Sequence, residues 1–252
     1  MAFISLKSVY LDYPVYNYST RSWKSHLVNL TSSGIIKKKQ NNVCVRALED
    51  ISFELQAGDT LALVGGNGAG KTTLLKTMAG IYHPTSGNVM VSGSKSCIFG
   101  AGFGMDDDAT GYENIILGCI ALGHSLKEAK SKIDDIEEFT ELGSFLNMPL
   151  RSYSAGMRAR LAFAVATCSS TEILLMDEGL GAGDASFVEK AKKRLDKFTL
   201  NARILVLASH SESLLRTFCN KGLLLKAGRP VAFGDLETVL QVYNSSPEYA
   251  AA

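Results

Sequence analysis

Apolar positions along this chain follow two rhythms. Ile51, Phe53 and Leu55 alternate with polar residues ahead of a turn at Ala57-Gly58-Asp59, and residues 3–11 read as an earlier strand. Largely apolar runs at Thr60–Val64, Ile173–Met176 and Arg203–Ser209 have the length of strands buried on both faces. Helical spacing takes over at Lys71–Ala79 and Arg158–Ala166. After Gly111 the chain reads as helical to about residue 150. There Ser125-Leu126-Lys127-Glu128 forms a capping box, and Leu126, Ala129, Ile133 and Ile136 share a face that excludes Glu137 and Glu138. Strands alternating with helices predict an α/β fold. Residues 12–44 read as an unusually long connection, of the kind that tends to be functional or mobile. Within it Trp23, Leu27 and Leu30 fall on one side of a short amphipathic helix, which either packs on the domain or meets lipid headgroups or a membrane partner.

The run from the first of these buried strands into the first helix carries chemistry. Gly65-Gly66-Asn67-Gly68-Ala69-Gly70-Lys71-Thr72-Thr73 satisfies the phosphate-loop pattern G-x-x-x-x-G-K-[ST] in its required setting of strand, glycine loop and helix. The glycines let the backbone turn tightly and aim N–H groups at phosphate oxygens, and the helix N-terminus adds partial positive charge. Lys71 is the candidate to reach the β- and γ-phosphates, and the Thr72 hydroxyl to ligate Mg²⁺. The strand at 173–176 ends in Asp177-Glu178. At the carboxyl edge of a parallel sheet such a pair lies beside a phosphate loop, Asp177 to hold Mg²⁺ and Glu178 to polarise an attacking water.

Tyr153-Ser154-Ala155-Gly156-Met157 precedes the helical run at 158–166, with Ser154 as N-cap and Gly156 permitting close backbone approach. That makes a second anion site. Here the chain resembles the ATP-binding cassette (ABC) family, whose signature reads Leu-Ser-Gly-Gly-Gln; only the Ser and the second Gly are kept. Tyr-Ser-x-Gly-Met is the form associated with the ATPases of polysaccharide exporters. Gly179–Asp184 resembles the family's D-loop. His210, at the end of the strand at 203–209, matches the histidine that contacts the γ-phosphate in the family. Tyr16, or its neighbours Tyr13 or Tyr18, is the candidate for the ring that stacks on adenine.

One family feature is missing. No glutamine lies between the phosphate loop and the signature; Gly100-Ala101-Gly102-Phe103 and Thr110-Gly111-Tyr112-Glu113-Asn114 again resemble the polysaccharide exporters, which often lack it. Asp106, Asp107 and Asp108 either replace it as water-bridged Mg²⁺ contacts or form a solvated loop.

Composition narrows the picture further. With 252 residues, 46% of them hydrophobic, the chain can bury a substantial core as one domain. A net charge of +1 implies no polyanion-binding surface, hence no nucleic-acid partner. Five cysteines without C-x-x-C pairing suit a reducing compartment, and neither a secretory signal nor an apolar run long enough to span a bilayer is evident. His26, His83 and His124 have no site-like setting.

The resemblance implies a P-loop NTPase of the ABC ATPase fold, one domain over 1–252. It has an antiparallel β subdomain, a helical insert at about 105–165 and no C-terminal carbohydrate-binding domain. It further implies ATP and Mg²⁺ as ligands, and a head-to-tail homodimer in which the phosphate loop of one subunit and Ser154 and Gly156 of the other enclose each nucleotide. Two copies of a polytopic permease complete the assembly, with the ATPase peripheral on the cytoplasmic face of the inner membrane. The expected activity is ATP hydrolysis driving export of a lipid-linked polysaccharide such as O-antigen. Teichoic acid or capsule export, or a soluble ABC ATPase, are the alternatives.

Overall fold

The computed structural model describes residues 2–15, 35–39, 42–99, 105–168, 171–177, 185–200 and 204–246. Two sheets and a group of helices organise them. The first sheet is antiparallel, of strand order β2-β3-β1-β5, built from β1 (Phe3–Val15), β2 (Ile35–Lys39), β3 (Asn42–Gln56) and β5 (Ser86–Ser92). The second has order β10-β9-β4-β8-β7-β6, from β4 (Thr60–Val64), β6 (Lys95–Phe99), β7 (Ile173–Asp177), β8 (Ile204–Ala208), β9 (Lys221–Lys226) and β10 (Arg229–Asp235). Its members run parallel except β10, which folds back antiparallel on β9.

The continuous apolar runs are explained by burial on both faces. Leu61 and Leu63 of β4 join Ile4, Leu6, Leu55 and helix α1 (Lys71–Ala79) in a core between the sheets. Ala62 and Val64, pointing the other way, join a second core with Phe163, Leu174 and Leu207. Antiparallel β3 shows the other rhythm: Ile51, Phe53 and Leu55 are buried, while Ser52 and Glu54 are exposed.

A third core is purely helical. It gathers Ile115 and Cys119 of α2 (Gly111–Ala121), Ala129 of α3 (Leu126–Ser131), Ile136 of α4 (Ile133–Thr140), then Leu146, Leu150, Tyr153 and Leu161, the last on α5 (Ala155–Thr167). Both Ser125 and Thr110 close capping boxes, with Glu128 and Glu113. Both carry the Ser/Thr-x-x-Glu signature of a capping box in the sequence. The expected face is corrected at one position, because Leu126 is exposed while Ala129 and Ile136 are buried. Lys132 separates α3 from α4, so a single helical phase does not run from 126 to 136.

The expected long connection at 12–44 is corrected too. β1 continues to Val15, β3 begins at Asn42, and β2 lies between them, paired from Ile35↔Arg46 to Lys39↔Asn42. Antiparallel pairing with a neighbour distant in sequence supplies the order that local composition did not suggest. The proposed amphipathic helix, Tyr16 and Tyr18 lie outside the described residues. Helices α6 (Ala185–Leu200), α7 (Glu212–Phe218) and α8 (Leu236–Ser245) complete the fold. Among the described residues no helix is long and apolar enough to cross a membrane.

Candidate functional site

Strand order decides what meets. β4 lies beside β8, and β8 beside β7, all parallel, so residues following their carboxyl ends converge on one edge. The phosphate loop follows β4, Asp177 ends β7 and His210 follows β8. A cleft of about 400 Å³ opens there, lined by residues 67–73, Asp177, His210, Tyr13, Val45 and Ala47.

The loop needs its glycines for stated reasons. Gly65 has φ 145°, and a Cβ there would lie 2.5 Å from the Leu225 carbonyl oxygen. Gly70, the N-cap of α1, has φ 105° in the left-handed region. The first turn of α1 contains no acidic residue, which keeps its N-terminal dipole available to an anion.

Lys71 is buried at 7% exposure, and its ammonium donates to the carbonyls of Gly65 at 2.6 Å and Gly66 at 2.9 Å. Its Nζ also stands 3.5 Å from His210 Nε2. Gly65 and Gly66 thus serve the cleft from behind, by holding the lysine, while residues 67–73 face it. The Thr72 hydroxyl donates to Asp177 Oδ2 at 2.6 Å. A hydroxyl and a carboxylate side by side are hard oxygen donors, the set that Mg²⁺ takes, and they stand at the phosphate end of the cleft.

Tyr13 of β1 and Val45 and Ala47 of β3 complete the lining of the cleft. The Tyr13 ring meets Tyr82 edge-on at 5.4 Å, and burial pushes its hydroxyl pKa up to about 12, so it stays neutral. Of the three candidate tyrosines, Tyr13 is the one the described residues bring to the cleft. Val45 and Ala47 fall between the expected connection at 12–44 and the alternation at 51–55, so neither expectation covers them. The alternation of apolar residues through Val43, Val45 and Ala47 was the available signal.

Ser154 caps α5, its Oγ accepting from Met157 N at 3.2 Å. Neither Ser154 nor Gly156 lines the cleft. Tyr153, where the family signature has Leu, is buried and donates its hydroxyl to the Phe145 carbonyl at 2.7 Å. It packs close against Gly111, whose Cβ, had it one, would lie 2.3 Å from the phenol oxygen. Asp106, Asp107 and Asp108 are not cleft residues either. Asp107 pairs with Arg158 and Asp108 with Arg151, bracketing the signature, while buried Asn114 bonds Asp106 through both its amide atoms. Of the two expectations for these aspartates, the exposed side chains fit the solvated loop, and Asp107 and Asp108 tie that loop to the segment carrying Ser154. Glu178, Gly179–Asp184 and residues 100–104 lie outside the described residues.

Comparison with known proteins agrees with this geometry. The chain is 48% identical over 229 residues to the O-antigen export system ATP-binding protein RfbE of Yersinia enterocolitica, covering 90% of this chain and 96% of that one. It is 35% identical over 240 residues to the teichoic acids export ATP-binding protein TagH of Lactococcus lactis subsp. lactis (strain IL1403), covering 95% of this chain but only 50% of that one. The chain therefore spans half the length of that relative. In fold it resembles the dimeric ATP-binding cassette MJ0796 bound to ADP and Pi, with a TM-score of 0.73 at 21% identity over 92% of this chain and 98% of that one. With residues 48–181, more than half of its length, matching the ABC transporter family, the chain belongs to that family, on the evidence of the match and of a phosphate loop, Asp177 and His210 gathered at one sheet edge.

Proposed function

We propose that this chain is the ATP-hydrolysing subunit of an exporter that moves lipid-linked O-antigen polysaccharide across the cytoplasmic membrane. The observation that carries the reading is the 48% identity to an O-antigen export ATP-binding protein across nearly the whole of both chains. The base of ATP packs against Tyr13, Val45 and Ala47, and its phosphates lie on the amides of residues 67–73. Lys71 and His210 stand on the γ-phosphate side. Thr72 and Asp177 would hold Mg²⁺, which when bound would supply charge neutralisation at the phosphates. Glu178, next in sequence to Asp177, orients and deprotonates the attacking water.

Ser154 and Gly156 complete the site from a second copy. Their exclusion from the cleft of their own chain supports this, as does the dimeric state of the fold neighbour. The helical unit, about residues 105–165, carries that second half-site. ATP-driven closure of the homodimer then moves two copies of a polytopic permease, on the cytoplasmic face of the inner membrane.

The test is genetic and biochemical together. Deleting the gene in its host is expected to abolish surface O-antigen and leave lipid-linked polymer inside. The intact chain restores export, and Glu178→Gln does not, with turnover lowered by about 10²-fold or more. Loss of a phosphate-rich or capsular polymer instead would assign the subunit to the teichoic acid or capsule class. Unchanged surface polymers would remove the export reading.

A further inference from the structure

The turn between β9 and β10 is formed by Ala227 and Gly228, both with positive φ, at 48° and 78°. Lys226 and Arg229 pair across it, so this is a two-residue hairpin turn of the kind that needs left-handed backbone at both positions. Hairpin turns normally face solvent. Gly228 instead is buried.

What it is buried against is specific. Its N–H donates to the carbonyl of Ala69, in the phosphate loop, at 2.9 Å. Its own carbonyl accepts from the N–H of Glu49, on β3, at 2.8 Å. One peptide unit on each side of a single residue thus links the phosphate loop to the strand whose Val45 and Ala47 also line the cleft. Arg229 reinforces the link, with Nε and Nη2 each 3.1 Å from Glu49 Oε2. The space is close on all sides. A Cβ on Gly228 would lie 2.4 Å from the Ala47 carbonyl oxygen, and a Cβ on Gly70 would lie 3.2 Å from that same oxygen and 3.4 Å from the Gly228 Cα.

We infer that Gly228 is a positioning residue for the nucleotide: it sets the separation between the base wall on β3 and the phosphate loop. This rests on the reading of the cleft as the ATP site. A side chain at 228 collides with the backbone of Ala47, so β3 must shift relative to the turn that is bonded to the phosphate loop. A ligand that spans both halves then loses alignment, whereas one that occupies the phosphate half does not.

Gly228→Ala separates the two. Titrating the full chain with Mg-ATP and with inorganic tripolyphosphate, ATP affinity is expected to fall on the order of tenfold or more, as misplacement of a binding wall does, while tripolyphosphate affinity is unchanged. Arg229→Met, which loosens the same link without adding a Cβ, moves the ratio in the same direction by less, and Arg229→Lys recovers part of it. Those two variants decide the matter should Gly228→Ala not fold. Parallel loss of both ligands, or loss of neither, overturns the inference. Failure of the unsubstituted chain to bind either ligand overturns instead the assignment of the cleft to ATP.

Discussion

Thr72 and Asp177, 105 residues apart in sequence, share one hydrogen bond of 2.6 Å, from threonine Oγ1 to aspartate Oδ2. It joins the first turn of α1 to the end of β7 and sets two oxygen donors side by side. Asp177→Asn keeps an acceptor for the threonine but removes the charge a divalent cation needs. The Mg²⁺ concentration required for half-maximal ATP hydrolysis should rise about 10- to 100-fold, the range seen when a metal site loses a supporting group. ATP binding in the presence of EDTA should change little. An unaltered Mg²⁺ titration would remove Asp177 from the metal site.

Lys71, the proposed phosphate ligand, is also a structural member of the loop. Its ammonium satisfies two loop carbonyls, Gly65 and Gly66, from a buried position. Lys71→Met retains most of the packed stem and leaves those carbonyls without that donor, at a cost of about 1–3 kcal/mol. Thermal unfolding without nucleotide should therefore shift down, by roughly 2–4 °C for each kcal/mol in a chain of this size. A variant that loses ATP affinity with no change in melting temperature would show that the carbonyl contacts do not support the loop.

Ser154 caps α5 and is the proposed second half-site for the nucleotide, and the two roles are separable. Ser154→Ala removes the oxygen that accepts from Met157 N, and should destabilise the chain by about 1 kcal/mol in urea unfolding. Ser154→Arg, in a Glu178→Gln background that holds ATP, should abolish the ATP-dependent dimer outright by placing bulk at the nucleotide. Light scattering distinguishes the cases, and a persistent dimer with arginine at 154 would exclude the composite site.

Alkaline pH should unfold this protein more readily than its near-neutral charge suggests. Burial pushes the Cys219 thiol from 9.0 up to about 12, Cys97 from 9.0 up to about 11 and Tyr13 from 10.0 up to about 12. Between pH 9 and about 12 the unfolded chain has released protons that the folded chain still holds, so stability falls as pH rises through that window and is unaffected by these groups below it. The urea midpoint followed from pH 8 to 11 should decline, and Cys219→Ala should make the decline shallower. An identical slope in that variant would mean that the thiol is not shielded in the folded state.

The sequence by itself determined everything that rests on a few consecutive residues. The strand, glycine loop and helix from 60 to 79, the apolar strand ending at Asp177, the Ser125 and Ser154 caps and the buried face at Ala129 and Ile136 were all legible, because each is a local balance of period, cap and turn. The tertiary structure decided what those pieces meet. Nothing near Lys71 announces that Gly65 and Gly66 carbonyls hold it, nor does the aspartate run at 106–108 reveal that Arg151 and Arg158 engage it. Residues 12–15, 35–39 and 42–44 read as connection because their order comes from pairing across the sheet, which local composition does not encode. The same pairing brings Tyr13, Val45 and Ala47 to the cleft and buries a hairpin glycine at 228 against the phosphate loop. Strand order and register are set by contacts between residues distant in sequence, and only the folded chain brings those residues into contact.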